Sequence, residues 1–246
     1  MPLELNLPKA NGLFITGTDT GVGKTLVAGG IAKILSQAGY TVGVFKPVAT
    51  GCKHHHEGLV STDAEFLRYW SGCDFELSVI NPVGFVTPAS PVVCEEFERR
   101  YVDFAAIQTA YIKICEASDF VIVEGIGGIR VPISGDVDVL ELAKAFGLPV
   151  VIVARPYLGT INHTLLTIDA VRAAGLVVAG VVISGYEAVS ATFAEETGAD
   201  VIAEYGEAEI LSIVPQDEDS DVENCRLGDL TVEALTDCDW AQLAQR

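Results

Sequence analysis

The sequence predicts an α/β fold: a doubly wound, mainly parallel sheet with helices on both faces, in a single domain over residues 1–246. Three observations predict it. Six apolar runs alternate with helix-like stretches along the chain. The runs are rich in Val and Ile and mostly continuous, as strands buried on both faces of a parallel sheet are. The first run leads straight into "GTDTGVGKT" (17–25), a glycine-rich turn opening a helix.

The strands are expected at 12–17 ("GLFITG"), 41–47, 119–125, 149–154, 177–184 and 210–215. Helical patterns fill the intervals at 24–38, 63–72, 103–116, 137–146, 160–174 and 188–198, with a last one at 231–244. Gly39, Gly147 and Gly175 follow three of them, where a left-handed residue ends a helix. Strict alternation points to crossover connections and one sheet. The stretch "VPQDEDSDVENC" (214–225) reads as a polar loop, not a linker.

The net charge of −19 excludes nucleic acid as a general partner, since phosphate backbones need a basic surface. No apolar run approaches the roughly 18–20 residues of a membrane span. The first residues lack the pattern of a secretory signal, so a cytoplasmic protein is expected. Charge is uneven: residues 1–53 hold five Lys and two acidic groups, whereas 187–246 hold two Arg and sixteen acidic groups. The basic end carries the glycine-rich loop; the acidic end reads as a solvated surface. Six cysteines without a C-x-x-C pair read as reduced structural thiols. His54, His55 and His56 are adjacent on a loop, a poor geometry for converging on one metal.

Ligands of such sheets bind beyond the carboxyl ends of the strands. "GTDTGVGKT" resembles G-x-x-x-x-G-K-[ST], which makes the fold the P-loop NTPase type, although Gly17 stands one place early and Thr18 takes the usual glycine position. Backbone N–H groups of Thr20, Gly21, Val22, Gly23, Lys24, Thr25 and Leu26 can cradle phosphates at the helix start. Lys24 would reach the outer phosphates, and Thr25 has a hydroxyl suited to Mg²⁺. Lys46, in "FKPVATG", ends the second strand and points at the same crevice, where an ammonium can stabilise a transferring phosphoryl group. Glu124 stands where the apolar run "VIVEG" stops, like the carboxylate of a Walker B strand. Asp63 in "STDAEF" is a helix-start residue or a second metal carboxylate.

Taken together, "GTDTGVGKT", "FKPVATG", "STDA", "VEGIGG" and "LGTINHTLLT" resemble the dethiobiotin synthetases in order and spacing over roughly residues 12–185. That family belongs with the phosphate-loop group of the MinD-type ATPases and the nitrogenase iron protein. The resemblance implies a reaction. An amine of 7,8-diaminononanoate takes up CO₂ (or bicarbonate) as a carbamate, ATP phosphorylates it, and the second amine closes a cyclic urea with loss of phosphate. It also implies roles: Lys46 and Lys24 catalytic; Thr25, Asp63 and Glu124 on Mg²⁺; Thr20, Lys46 and Thr50 on substrate. Gly125, Ile126 and Gly127 would touch phosphates or substrate. Gly159, Thr160, Ile161 and Asn162, at a helix start, would receive the substrate carboxylate from a neighbouring subunit, so a homodimer with composite sites is expected.

Two departures and two rivals stand beside this. Several relatives carry Asn-Asp where this chain has Ser184-Gly185, and a hydroxyl cannot make the bidentate contact of an amide to an adenine edge. Relaxed base selectivity is therefore expected. Gly21 replaces the Glu of some relatives, and Pro215 is the expected start of the base-proximal segment. A MinD-like nucleotide switch is the first rival. Asp19, where that group has an extra lysine, speaks against it. An amidoligase acting on another substrate is the second; such enzymes are usually longer.

Overall fold

A computed structural model describes residues 3–55 and 58–245 of the chain. Its centre is a six-stranded sheet. In chain order the strands are β1 (Gly12–Gly17), β2 (Val42–Phe45), β3 (Phe120–Gly128), β4 (Val150–Ala154), β5 (Val178–Tyr186) and β6 (Ile210–Pro215). They lie in the order β6-β5-β4-β1-β3-β2, and every neighbouring pair is parallel. The expected α/β doubly wound architecture is the observed one.

The apolar runs are continuous because both faces are covered. Along β1, Leu13 and Ile15 enter one buried cluster with Ile31, Val44 and Leu67, while Phe14 enters the other with Phe45, Tyr111 and Phe146. Successive side chains of a strand point to opposite faces, so one hexapeptide supplies both cores. The covering helices are α1 (Lys24–Gln37), α2 (Thr62–Ser71), α3 (Phe104–Glu116), α4 (Val139–Phe146), α5 (Thr160–Ala173), α6 (Phe193–Gly206) and α7 (Asp229–Thr236). No described helix is long and apolar enough to cross a membrane.

Two helix expectations need correction. The helix expected at 188–198 begins instead at Phe193 and runs to Gly206. Its start is fixed by Thr192, whose backbone N–H and hydroxyl both reach Glu195 Oε2 at 2.7 Å, a capping box. The helix expected at 231–244 is two: α7 stops at Thr236, and Asp239 accepts from the Gln242 N–H at 2.9 Å to open a short second helix, Trp240–Leu243. Smaller elements escaped the sequence altogether. A hairpin pairs Lys53–His55 with Gly58–Val60, and a helix spans Pro91–Glu98, its proline in the first turn where a missing N–H costs nothing. His54 and His55 lie exposed on that hairpin, and His56 is outside the described residues.

Candidate functional site

The carboxyl ends of β1, β2 and β3 converge with the starts of α1 and α2 around a cavity of about 440 Å³. It is lined by Thr20, Gly21, Gly23, Lys24, Thr25 and Leu26 from the loop, by Lys46 and Thr50, by Asp63, and by Glu124, Ile126 and Gly127. Most of the predicted site residues therefore meet in one place.

The displaced glycine has a steric reason. A Cβ on Gly17 would stand 2.8 Å from Val22 Cγ2, 2.9 Å from the Asp19 carbonyl and 3.1 Å from Lys24 Nζ. The loop folds back over residue 17, and residue 17 must lack a side chain. Gly23, the N-cap of α1, is left-handed at φ 94°, and a Cβ there would collide with Ser184 Oγ. Val22 is buried, so it offers the site only its backbone.

Lys46 is 2 % exposed and is the electrostatic centre of the cavity. Its Nζ donates to Glu124 Oε1 at 2.7 Å and to the Gly125 carbonyl at 3.0 Å, and stands 2.7 Å from Asp63 Oδ2. All three ammonium protons thus have protein acceptors. Burial works against its charge, but the carboxylates of Asp63 and Glu124 outweigh burial and hold Lys46 above the ordinary lysine value. For Asp63, burial is outweighed by Lys46, and the carboxyl is held below its usual value. Glu124 goes the other way: complete burial, with Asp63 as a second negative neighbour, pushes it up. Burial and the Lys46 ammonium pull Lys24 down to about 8.

This cluster fits a divalent cation. Glu124 Oε2 is buried with no hydrogen-bond partner, beside a second carboxylate at Asp63. The Thr25 hydroxyl donates to Glu124 Oε1 at 2.9 Å. Hard oxygen donors in small number are what Mg²⁺ takes, since it keeps several waters.

The remaining predicted residues lie elsewhere. Ser184, Gly185 and Pro215 stand at the ends of β5 and β6, Ser184 against Gly23 and Gly185 near Gln216. Gly159 is the left-handed N-cap of α5, outside the cavity of its own chain. Thr160 is buried toward α6, near Gly198, and Ile161 packs on the core. Around them Tyr157, Leu158 and Leu166 are exposed, Leu158 at 90 %.

The family model described as an AAA domain matches residues 11–224. The ATP-dependent dethiobiotin synthetase of Methanococcus vannielii is 39% identical over 207 residues, covering 84% of this chain and 94% of its own. That of Bacillus subtilis strain 168 is 38% identical over 205 residues, covering 83% and 87%.

The chain belongs to the dethiobiotin synthetase family.

The MinC:MinD cell division protein complex of Aquifex aeolicus superposes with a TM-score of 0.60, covering 95% of each chain at 15% identity. At that identity the likeness shows the phosphate-loop fold alone. ATP use and ligase chemistry come with the dethiobiotin synthetase family, not with the MinD fold.

Two residues that line the cavity carry no signal in the sequence. Val222 and Glu223, from the polar loop after β6, also line the cavity, and Glu223 stands 3.8 Å from Lys53 of the 53–60 hairpin. The acidic loop is therefore partly a wall of the site. Arg155, at the end of β4, reaches the glycine-rich loop. Arg155 stands at a strand end, where the sequence already places ligand-facing residues, whereas Val222 and Glu223 follow no periodicity or motif and only the folded chain reveals them.

Proposed function

We propose that the cavity binds ATP with Mg²⁺ beside 7,8-diaminononanoate and CO₂ (or bicarbonate), and closes the ureido ring of dethiobiotin. The observation that carries this is the meeting of Lys24, Lys46, Asp63 and Glu124 around the phosphate loop. The N–H groups of residues 21–26 hold the phosphates, with Lys24 on the outer ones, while the Thr20 N–H is held by Asp19. Gly125, Ile126 and Gly127 follow the phosphate chain on its other side. Thr25, Asp63 and Glu124 would hold Mg²⁺, which when bound would offset the charge of the phosphates. Asp63 and Glu124 would then hold Lys46 less tightly, and its ammonium, fixed in place, would face the phosphoryl group.

Thr20, Lys46 and Thr50 place the carbamate against the terminal phosphate. Transfer breaks the bond from the terminal phosphorus to its bridging oxygen and makes a carbamoyl phosphate; the second amine then attacks carbon, expels phosphate and loses a proton. Little covalent chemistry falls to the protein, so positioning and charge supply the rate.

Gly159, Thr160, Ile161 and Asn162 would take the substrate carboxylate of a neighbouring subunit. Two observations support this: the α5 start lies outside its own cavity, and the residues beside it expose apolar surface. A monomer by light scattering at catalytic concentrations would remove this half of the proposal. The enzyme would work in the cytoplasm, as a single α/β domain.

Phosphate release measured with and without diamine and bicarbonate tests the whole reading. Release is expected to need both, and equal release without diamine overturns it. The same assay addresses the base. Ser184 offers a base only a hydroxyl, and Gly185 has no side chain. Ser184, Gly185 and Pro215 therefore give weak base selectivity, with comparable kcat/KM for ATP, CTP and GTP. A preference for ATP above roughly a hundredfold, about 2.7 kcal/mol, would refute it.

A further inference from the structure

Arg155 has no place in the machinery described above, yet its guanidinium reaches the phosphate loop from the end of β4. Nη2 donates to Asp19 Oδ2 at 3.2 Å and to the Thr20 carbonyl at 3.0 Å. Asp19 is a hub. Its Oδ1 accepts the Thr20 N–H at 2.7 Å, and its carbonyl accepts from Lys24 Nζ at 3.0 Å. The three oxygens of one residue thus tie together Arg155, Thr20 and Lys24.

Thr20 sits on a seam. It lines the cavity that holds Lys24 and Lys46, and also a second one of about 480 Å³ bounded by Thr18, Asp19, Arg130 and His163. Asp19 puts a carboxylate into a loop that must hold a polyanion. Left uncompensated, that charge repels the ligand and frees the loop to swing. A planar guanidinium can satisfy a carboxylate and a carbonyl at once, which a point-charge ammonium does less well.

We infer that Arg155 is a positioning residue for the ring-closing reaction: it neutralises Asp19 and fixes the Asp19–Thr20 segment so that Thr20 faces the reacting groups. The inference rests on the assignment of Thr20 to substrate and phosphate. As a stabilising ion pair the contact counts for little, because Arg155 and Asp19 are 38 % and 57 % exposed. Function and stability should therefore separate.

The test compares Arg155→Met, Arg155→Lys, Thr20→Val and the double variant Arg155→Met/Asp19→Asn. Turnover with diaminononanoate, affinity for a non-hydrolysable ATP analogue, and Tm are measured. Arg155→Met should lower kcat at least about tenfold, since small misplacements near the chemistry are costly. Its analogue affinity should fall less, and its Tm should stay within about 2 °C of the parent. Arg155→Lys should recover only part of the loss. Asp19→Asn removes the stranded charge but keeps an oxygen for the Thr20 N–H, so the double variant should turn over faster than Arg155→Met alone. Turnover of Arg155→Met within about twofold of the parent, while Thr20→Val is impaired, overturns the role of Arg155 and leaves the site standing. A double variant no faster than Arg155→Met also overturns it. Normal turnover in Thr20→Val sinks the underlying site assignment, and the inference with it.

Discussion

Lys46→Gln should lower kcat for dethiobiotin formation about 10²–10³-fold, the range seen when a donor aimed at developing charge is removed, or about 2.7–4 kcal/mol. Nucleotide affinity should change far less, because the N–H groups of the loop and Lys24 remain. The reason lies in the burial of this ammonium. In water a lysine at a strand end contributes little, but Lys46 is 2 % exposed and held charged by two carboxylates. A fixed charge in a dry site needs no reorganisation when the phosphoryl group moves. Steady-state kinetics together with calorimetric nucleotide binding separate the two effects. Near-normal turnover in Lys46→Gln would show that the buried ammonium is structural only.

The second large effect is expected at Glu124. Glu124→Gln keeps the shape and leaves a carbonyl oxygen for the Thr25 hydroxyl and for Lys46. It removes the charge that would meet Mg²⁺. Loss of an outer partner alone weakens metal sites about 10–100-fold, so loss of a direct carboxylate should raise the Mg²⁺ concentration for half-maximal activity by at least that much. Folding should survive. Complete burial and the nearby Asp63 already penalise the Glu124 charge, and a neutral amide is free of that penalty. A Mg²⁺ titration of activity, with Tm measured in parallel, checks both. An unchanged Mg²⁺ requirement would remove Glu124 from the metal site.

Much of this was readable in the chain, for physical reasons. All six sheet strands were, because burial on both faces forces unbroken Val and Ile runs. Gly39, Gly147 and Gly175 mark three helix ends and are left-handed at φ 93°, 63° and 78°. The capping box in "TFAE" marks the start of α6, a short local signal inside the longer pattern at 188–198. The break before Trp240 hid in the same way, behind the cap supplied by Asp239. Within the site, Lys24, Thr25, Lys46, Asp63 and Glu124 were legible because strand ends and helix starts fix where side chains go. Arg155 was legible as a strand-end residue but not in its reach to Asp19, and Glu223 not at all, because these placements depend on how long-range segments close on one another.

The Thr25 hydroxyl meets Glu124 across 99 residues of chain, and the Lys46 ammonium meets the same carboxylate across 78. No short segment of the polypeptide holds these groups together, so the unfolded chain offers nucleotide no assembled site. Ligand present at a hundred times its Kd would then favour the native state by about 2.7 kcal/mol, drawing it from the unfolded pool by mass action alone. In a cell supplied with nucleotide, the substrate would itself protect the enzyme from unfolding.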